Sequence, residues 1–507
     1  MTAMFGTPFD PAIASPATAS EEGGTTAPID DDKLKEECGV FAIFGHPDAA
    51  KHTALGLHAL QHRGQEAAGI VSYDGRQFQA HRDQGQVGDI FDKPSVMDRL
   101  AGHAAIGHNR YATQGATAAR NVQPLFADFA FGGFALSHNG NLTNAVKLRH
   151  ELVARGSLFQ STTDTEVVIH LIATAPAGTV VERVTHALHR IEGAYAFVAM
   201  TDSMVLGIRD PLGVRPLVLG RLGDTHVLAS ETCALDIIGA DWVRDIAPGE
   251  MVVIDAEGVR SLYPFTPRKP RFCIFEHIYF ARPDSVIEGA SVYEARKRIG
   301  AELARESGVP ADLVIPVPDS GVPAALGYAN EAGIPFELGI IRNHYVGRTF
   351  IEPTDSIRHL GVKLKHNANA ALLRGKRVIL VDDSIVRGTT SGKIVTMVRQ
   401  AGAAEVHLRI AAPPTRHPCF YGIDTPRESE LLASRYDLDG MVETIGCDSL
   451  AFVSFDGMYR AMGETGRDPV APQYCDACFT GEYPIPLVDN DSPHDETSQL
   501  SFLAEMG

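Results

Sequence analysis

The run Val378-Ile-Leu-Val381 is wholly apolar. It ends on two adjacent carboxylates, Asp382 and Asp383, and passes through Ser-Ile-Val-Arg-Gly-Thr-Thr390 into a helical pattern. A strand without a polar position has both faces buried, which a parallel sheet covered by helices supplies. The surrounding rhythm agrees: a helix predicted over roughly 389–401 is closed by Gly402, and Val406-His-Leu-Arg-Ile-Ala411 reads as the next strand. Asp312-Leu-Val-Ile-Pro-Val317, followed by a Gly/Ala-rich helix at about 321–332, repeats the unit. This pattern predicts an α/β domain with a parallel sheet, whose ligands bind beyond the carboxyl ends of the strands. Asp382 and Asp383 fall at that edge, with hydroxyls from Ser384, Thr389 and Thr390 beside them. Gly388 lets the backbone come close to a ligand, and the following helix offers N–H groups and its positive dipole end to a phosphate. Paired carboxylates beside such a cradle suit a sugar with vicinal hydroxyls, together with Mg²⁺.

Upstream of the proline-rich linker Pro264-Phe-Thr-Pro-Arg-Lys-Pro-Arg271 the rhythm is different. Short apolar strands (Glu37–Phe44, Phe134–Ser137, Tyr195–Met200, Met251–Ile254) alternate with turns and with helical stretches near 51–62, 143–155 and 164–174, which reads as α+β. Charge divides the chain as well. Residues 1–32 hold six acids and no Lys or Arg, and residues 468–507 hold eight acids and neither base, so the net −18 leaves only −4 for the body. A broad basic face for nucleic acid is thereby excluded as an expectation. No apolar run approaches the roughly 20 residues that span a bilayer. Seven cysteines in 507 residues are too few for a disulfide scaffold, so a reducing cytoplasm is expected.

Three segments of the second domain resemble the type I phosphoribosyltransferases. The stretch 378–390 is similar to their phosphoribosyl diphosphate loop, and Pro318-Asp319-Ser320-Gly321 to their pyrophosphate turn. The segment Arg342-Asn-His-Tyr-Val-Gly-Arg-Thr-Phe-Ile351 is similar to their mobile loop. The resemblance implies that Asp319, Ser320, Gly321, Arg348, Asp382, Asp383, Ser384, Arg387, Gly388, Thr389 and Thr390 bind phosphoribosyl diphosphate. It also implies one Mg²⁺ per chain at Ser320, Asp382 and Asp383. Arg342, Lys363 and Lys365 would add positive charge for a highly anionic ligand.

In the first domain, Cys38-Gly-Val-Phe41, His108-Asn-Arg-Tyr-Ala-Thr-Gln114, Ser137-His-Asn-Gly-Asn-Leu-Thr143 and Ser161-Thr-Thr-Asp164 resemble the N-terminal-nucleophile glutamine amidotransferases. That fold is an αββα sandwich. Its chemistry needs a nucleophile, a base and donors for a tetrahedral oxyanion. By resemblance, Cys38 is the nucleophile and its own α-amino group the base, so residues 1–37 must be removed. Asn139 and Gly140 form the oxyanion hole, Arg110 and Thr113 bind the glutamine carboxylate, and Asp164 binds its ammonium group. Arg63 and Gly64 close over the nucleophile.

Cys475-Asp-Ala-Cys478 needs two further thiolates for a four-ligand site, and spacing alone does not choose iron over zinc. The surroundings of Cys273 and Cys419 resemble the iron–sulfur branch of the glutamine phosphoribosyldiphosphate amidotransferases. This implies one [4Fe–4S] cluster per chain on Cys273, Cys419, Cys475 and Cys478, with Cys233 and Cys447 packed as small apolar residues. The expected organisation is a leader over 1–37, a glutaminase domain over 38–265, a phosphoribosyltransferase domain over 266–480 and a disordered acidic tail over 481–507. The expected reaction is glutamine-dependent conversion of 5-phosphoribosyl 1-diphosphate to 5-phosphoribosylamine, opening purine synthesis. Purine nucleotides are implied as feedback inhibitors and a homotetramer as the assembly, with no nucleic acid or membrane partner. The same glutaminase half also occurs with sugar-isomerase or asparagine-synthetase partners, but neither uses a loop like 378–390. A nucleotide-sensing regulator would not need Cys38, Asn139 and Asp164 together.

Overall fold

The computed structural model describes the backbone of Lys35–Glu36 and residues 38–110, 119–176, 178–343 and 366–489. Thr113, Arg348, Lys363, Lys365, most of the leader and residues 490–507 lie outside the described residues.

Two antiparallel sheets form the first half. One has seven strands in the order Asp241–Asp245, Val218–Leu222, Thr225–Ala229, Gly39–Phe44, Ala104–Arg110, Ala67–Tyr73 and Phe78–Gln84. The other has six, in the order Gly258–Leu262, Met251–Asp255, Met204–Arg209, Gly193–Met200, Gly132–Leu142 and Leu125–Phe129. Alternation along the strands divides their side chains between two apolar layers. Val40, Ala42 and Ile106 from the first sheet meet Ala135, Val198 and Val252 from the second in the central layer. Phe41, Ile43 and Ile70 turn outward onto the helix Ala49–Ala59. Phe197, Leu206 and Met251 turn the other way, onto the helices Ala145–Ala154, Asp164–Ala173 and Val180–Leu188. The result is the expected helix–sheet–sheet–helix sandwich, and the wholly buried strand Gly193–Met200 is apolar at every position because it is covered on both faces.

The second half holds a four-stranded parallel sheet in the order Leu313–Pro316, Arg377–Asp382, Glu405–Ile410 and Ser449–Phe452. Its register places Ile379 beside Val314, and Leu408 beside both Leu380 and Leu450. The helices Val292–Ser307 and Val322–Ala332 pack closely on one another. A Cβ at Gly300 would come 1.9 Å from the Ala324 carbonyl oxygen, and one at Gly327 equally close to the Lys297 oxygen.

Two segments cross between the halves. Lys35–Glu36 pairs antiparallel with Ile423–Asp424. Residues 481–489, expected to open a disordered tail, are instead packed. Ile485 is buried and exchanges hydrogen bonds with the Tyr421 hydroxyl, and the Asp489 carboxylate accepts from the amides of Val146 and Lys147 at 2.8 and 3.0 Å. Composition shows the acids of this tail; it does not show that one of them caps a distant helix N-terminus.

Candidate active sites in the two halves

Cys38 lies at the mouth of the strand Gly39–Phe44, whose neighbour Ala104–Arg110 pairs Asn109 with Gly39. Arg110 therefore ends its strand beside Cys38. Cys38 is one of two described non-glycine residues with positive φ, at 71°. That region costs a side-chain-bearing residue roughly 1–3 kcal/mol and recurs at functional positions. The facing sheet is held to this one by His108, whose Nε2–H donates to the His138 carbonyl at 3.1 Å. Burial keeps the His108 ring neutral, its pKa lowered to about 3. The link brings Asn139 and Gly140 to the Cys38 end of the sandwich.

Asn139 is fully buried, and among the described residues its side-chain amide nitrogen and oxygen have no hydrogen-bond partner. A buried unsatisfied amide is costly, and a substrate oxygen is a partner that would satisfy it. Gly140 has φ of 139°, and a Cβ there would strike the Ala194 carbonyl oxygen at 2.1 Å, so only glycine fits. Asp164, 19% exposed at its side chain, accepts from the Leu142 amide at 2.9 Å and lies 3.4 Å from His138 Nδ1. Burial opposes its charge, yet His138 and the Leu142 and Thr165 amides hold its carboxyl below the usual range. A carboxylate kept ionised beside the strand that carries Asn139 and Gly140 suits an ammonium ligand.

In the second half, Asp382, Asp383 and Ser384 are buried at the carboxyl end of their strand. The Asp383 amide donates to Asp382 Oδ1 at 2.9 Å, and Ser384 Oγ donates to Asp383 Oδ1 at 2.6 Å. The 317–321 turn lies against the same edge, since the Val317 amide donates to Val381 O at 2.8 Å and the Gly321 amide to Val317 O at 3.0 Å. Its Pro318–Asp319 peptide is cis. Gly388, at φ 82°, leads into the helix Thr389–Gln400. Arg387 is paired with Glu430 at 2.8 Å, and Arg342 with Asp319. A cleft of about 650 Å³ lined by Arg387, Gly388, Thr389, Lys393, Arg435 and Tyr436 opens beside this loop.

The four cysteines named for the cluster lie near enough to influence one another's charge. Cys273 and Cys475 are register partners in a short parallel pair, and the Arg416 and His417 amides both donate to Cys478 O at 3.0 Å. Burial pushes the Cys273 thiol up to about 12 and raises Cys475 and Cys478, with charge on neighbouring thiols adding to the effect. Among the described residues no three of His, Cys, Asp or Glu stand in a closed metal-binding arrangement. Cys233 and Cys447 are buried, as expected.

The sequence reading passed over three buried charged residues. Glu231 and Glu276 flank Arg63, and Arg296 is buried near Asp383 with its pKa lowered by burial to about 10. The one available signal was a lone acid inside the apolar run Phe272-Cys-Ile-Phe-Glu276, where a charge must find a partner.

A glutamine amidotransferase domain family matches residues 108–236, and a phosphoribosyl transferase domain family matches residues 290–418. Fold and sites together define a glutamine-dependent amidotransferase whose second half transfers a phosphoribosyl group. An amidophosphoribosyltransferase of Rhizobium etli is 56% identical over 95% of this chain and 98% of its own length. Another, of Bacillus subtilis, is 48% identical over 92% and 98%. A solved glutamine phosphoribosylpyrophosphate amidotransferase from B. subtilis, complexed with ADP and GMP, aligns with a TM-score of 0.84 at 48% identity, over 89% of this chain and 98% of that one. The chain belongs to the amidophosphoribosyltransferase family and is an enzyme of the first step of purine biosynthesis. Among the described residues no helix is long and apolar enough to cross a membrane.

Proposed function

We propose that this enzyme forms 5-phosphoribosylamine through two residue sets, one in each half, and that the orphaned Asn139 amide carries the assignment of the first. Cys38 Sγ attacks the glutamine carboxamide while the α-amino group of Cys38, freed by removal of residues 1–37, takes the thiol proton. Asn139 Nδ2 and the Gly140 N–H receive the oxyanion. The amino group returns the proton to the departing ammonia, and water resolves the Cys38 thioester to glutamate. Arg110 and Thr113 hold the substrate carboxylate, and Asp164 holds its ammonium group. The strained φ at Cys38 supports processing, because that torsion is defined by the bond to residue 37 and ceases to exist when it is cut.

In the second half, Asp382 and Asp383 bind the ribose hydroxyls, and Ser384 and Gly388–Thr390 hold the 5′-phosphate. The 319–321 turn holds pyrophosphate, with Arg348 and Arg387 adding charge. Ammonia then displaces pyrophosphate at C1. The hard oxygens of Ser320, Asp382 and Asp383 fit one Mg²⁺, which when bound neutralises pyrophosphate charge. Cys273, Cys419, Cys475 and Cys478 would supply four thiolates to one [4Fe–4S] cluster, whose part would be structural. A relative complexed with ADP and GMP, together with the cationic cleft beside the loop, supports inhibition by purine nucleotides. A cytoplasmic homotetramer completes the reading.

The pair Cys38→Ala and Asp382→Ala tests it. Cys38→Ala should lose glutamine-dependent product but keep the ammonia-dependent reaction, whereas Asp382→Ala should lose both; glutamine use by Cys38→Ala would overturn the first assignment. Anaerobically purified protein should contain about four irons and matching sulfide per chain, and stoichiometric zinc would refute the cluster.

A further inference from the structure

The nucleophile of the first half is braced by a carboxylate from the second. The Cys38 N–H donates to the Arg63 carbonyl oxygen at 3.1 Å. The Arg63 guanidinium is fully buried between two fully buried carboxylates, with Nε on Glu231 and Nη2 on Glu276 Oε2 at 2.7 Å. Arg215 also reaches Glu276, at 3.3 Å. Glu231 belongs to the first half and accepts from Ser285 Oγ at 2.7 Å and the Arg282 amide at 2.9 Å, both in the second. Burial works against its charge, but Arg63 and His62 hold the Glu231 carboxyl well below the usual range. The halves thus exchange carboxylates across a dry joint. An apolar joint of the same size would avoid the desolvation penalty of four buried charges, so what these contacts add is fixed position. The opposite pole of the site is braced too. The Asn141 side-chain Nδ2 donates to Phe420 O at 2.9 Å, and Gly422 packs against Gly140.

We propose that Glu276 is a positioning residue for glutamine hydrolysis. From the second half it fixes the Arg63 guanidinium, and through it the carbonyl that orients the amino group of Cys38. The inference rests on the reading of Cys38 as an N-terminal nucleophile. One N–H of the freed amine is held by Arg63 O, which leaves its lone pair to accept the Sγ proton. Without Glu276 the guanidinium keeps Glu231 alone, the 61–63 turn relaxes, and a displacement near 1 Å at a reacting group costs on the order of 100-fold in rate.

The test compares Glu276→Gln and Glu276→Asp in the processed enzyme that retains both halves. Three rates are followed: glutamine-dependent product, ammonia-dependent product, and alkylation of Cys38 by iodoacetamide. In Glu276→Gln, glutamine-dependent kcat and the alkylation rate should both fall about 10- to 100-fold. The KM for glutamine and the ammonia-dependent rate should stay within about twofold, and Glu276→Asp should fall between. Parallel loss of both activities, or no loss of either, overturns the inference, since a merely structural role moves the two together. If Glu276→Gln does not accumulate as folded protein, Glu276→Asp, which keeps the charge, decides the same comparison. An unsubstituted enzyme that uses ammonia but not glutamine would overturn the Cys38 reading as well.

Discussion

Asn139 shows how much one side chain is asked to do. Its amide is wholly buried and has no partner among the described residues, so the cost of desolvation is already met before substrate arrives. Asn139→Ala should lower glutamine-dependent kcat by about 100- to 1,000-fold, with little change in KM and none in the ammonia-dependent rate. Steady-state kinetics with each nitrogen donor would show it. Glu166 is a structural counterpart. It accepts from the amides of Gln160 and Ser161, both at 2.7 Å, and lies near His170. Burial opposes its charge, but His170 and these donors lower its pKa from 4.5 to about 2. A depressed carboxylate stabilises the folded chain above the unfolded pKa and loses that contribution as pH falls toward the folded one. Stability from this group is therefore full above about pH 4.5 and declines toward about pH 2. Glu166→Gln should flatten the acid limb of stability, measured as denaturant midpoints from about pH 5 to about pH 3.

Elements with an unbroken apolar pattern were legible in advance. The strand read at Val378–Val381 is Arg377–Asp382, and the helix read over 389–401 is Thr389–Gln400, because each is fixed by local pattern and flanking turns. The hairpin strands Phe78–Gln84 and Gly258–Leu262 were not read, since half-exposed edge strands are mostly polar and take their order from the neighbour they pair with. The helix Val292–Ser307 was missed for a related reason. It carries many charged residues and owes its place to the helix Val322–Ala332, against which two glycines allow backbone contact. Gly327→Ala measures that contact. Helix propensity favours alanine by about 1 kcal/mol, but its Cβ would lie 1.9 Å from a backbone oxygen that cannot swing away. Overpacking outweighs propensity, and the variant should lose about 2 kcal/mol of stability in equilibrium unfolding.

At the scale of the molecule, the motifs were readable because each is a short contiguous run that carries its chemistry in its composition. The joint between the halves was not, because Arg63, Glu231 and Glu276 lie far apart in the chain and become partners only when the halves meet. The packing of residues 481–489 was hidden for the same reason. One contact in that joint has a bearing on ancestry. A Cβ on Gly422 would lie 2.8 Å from the Gly140 Cα, and Gly140 itself has no room for one. The strand carrying Gly140 is therefore walled by the loop after Cys419 on one side and by Ala194 on the other, and a methyl group on Gly422 would pry strand and loop apart. A glutaminase half taken from this chain and grafted onto an isomerase or a synthetase would bring along a surface cut to fit a partner left behind. Inheritance of this glutaminase half together with its own transferase half keeps that fit intact.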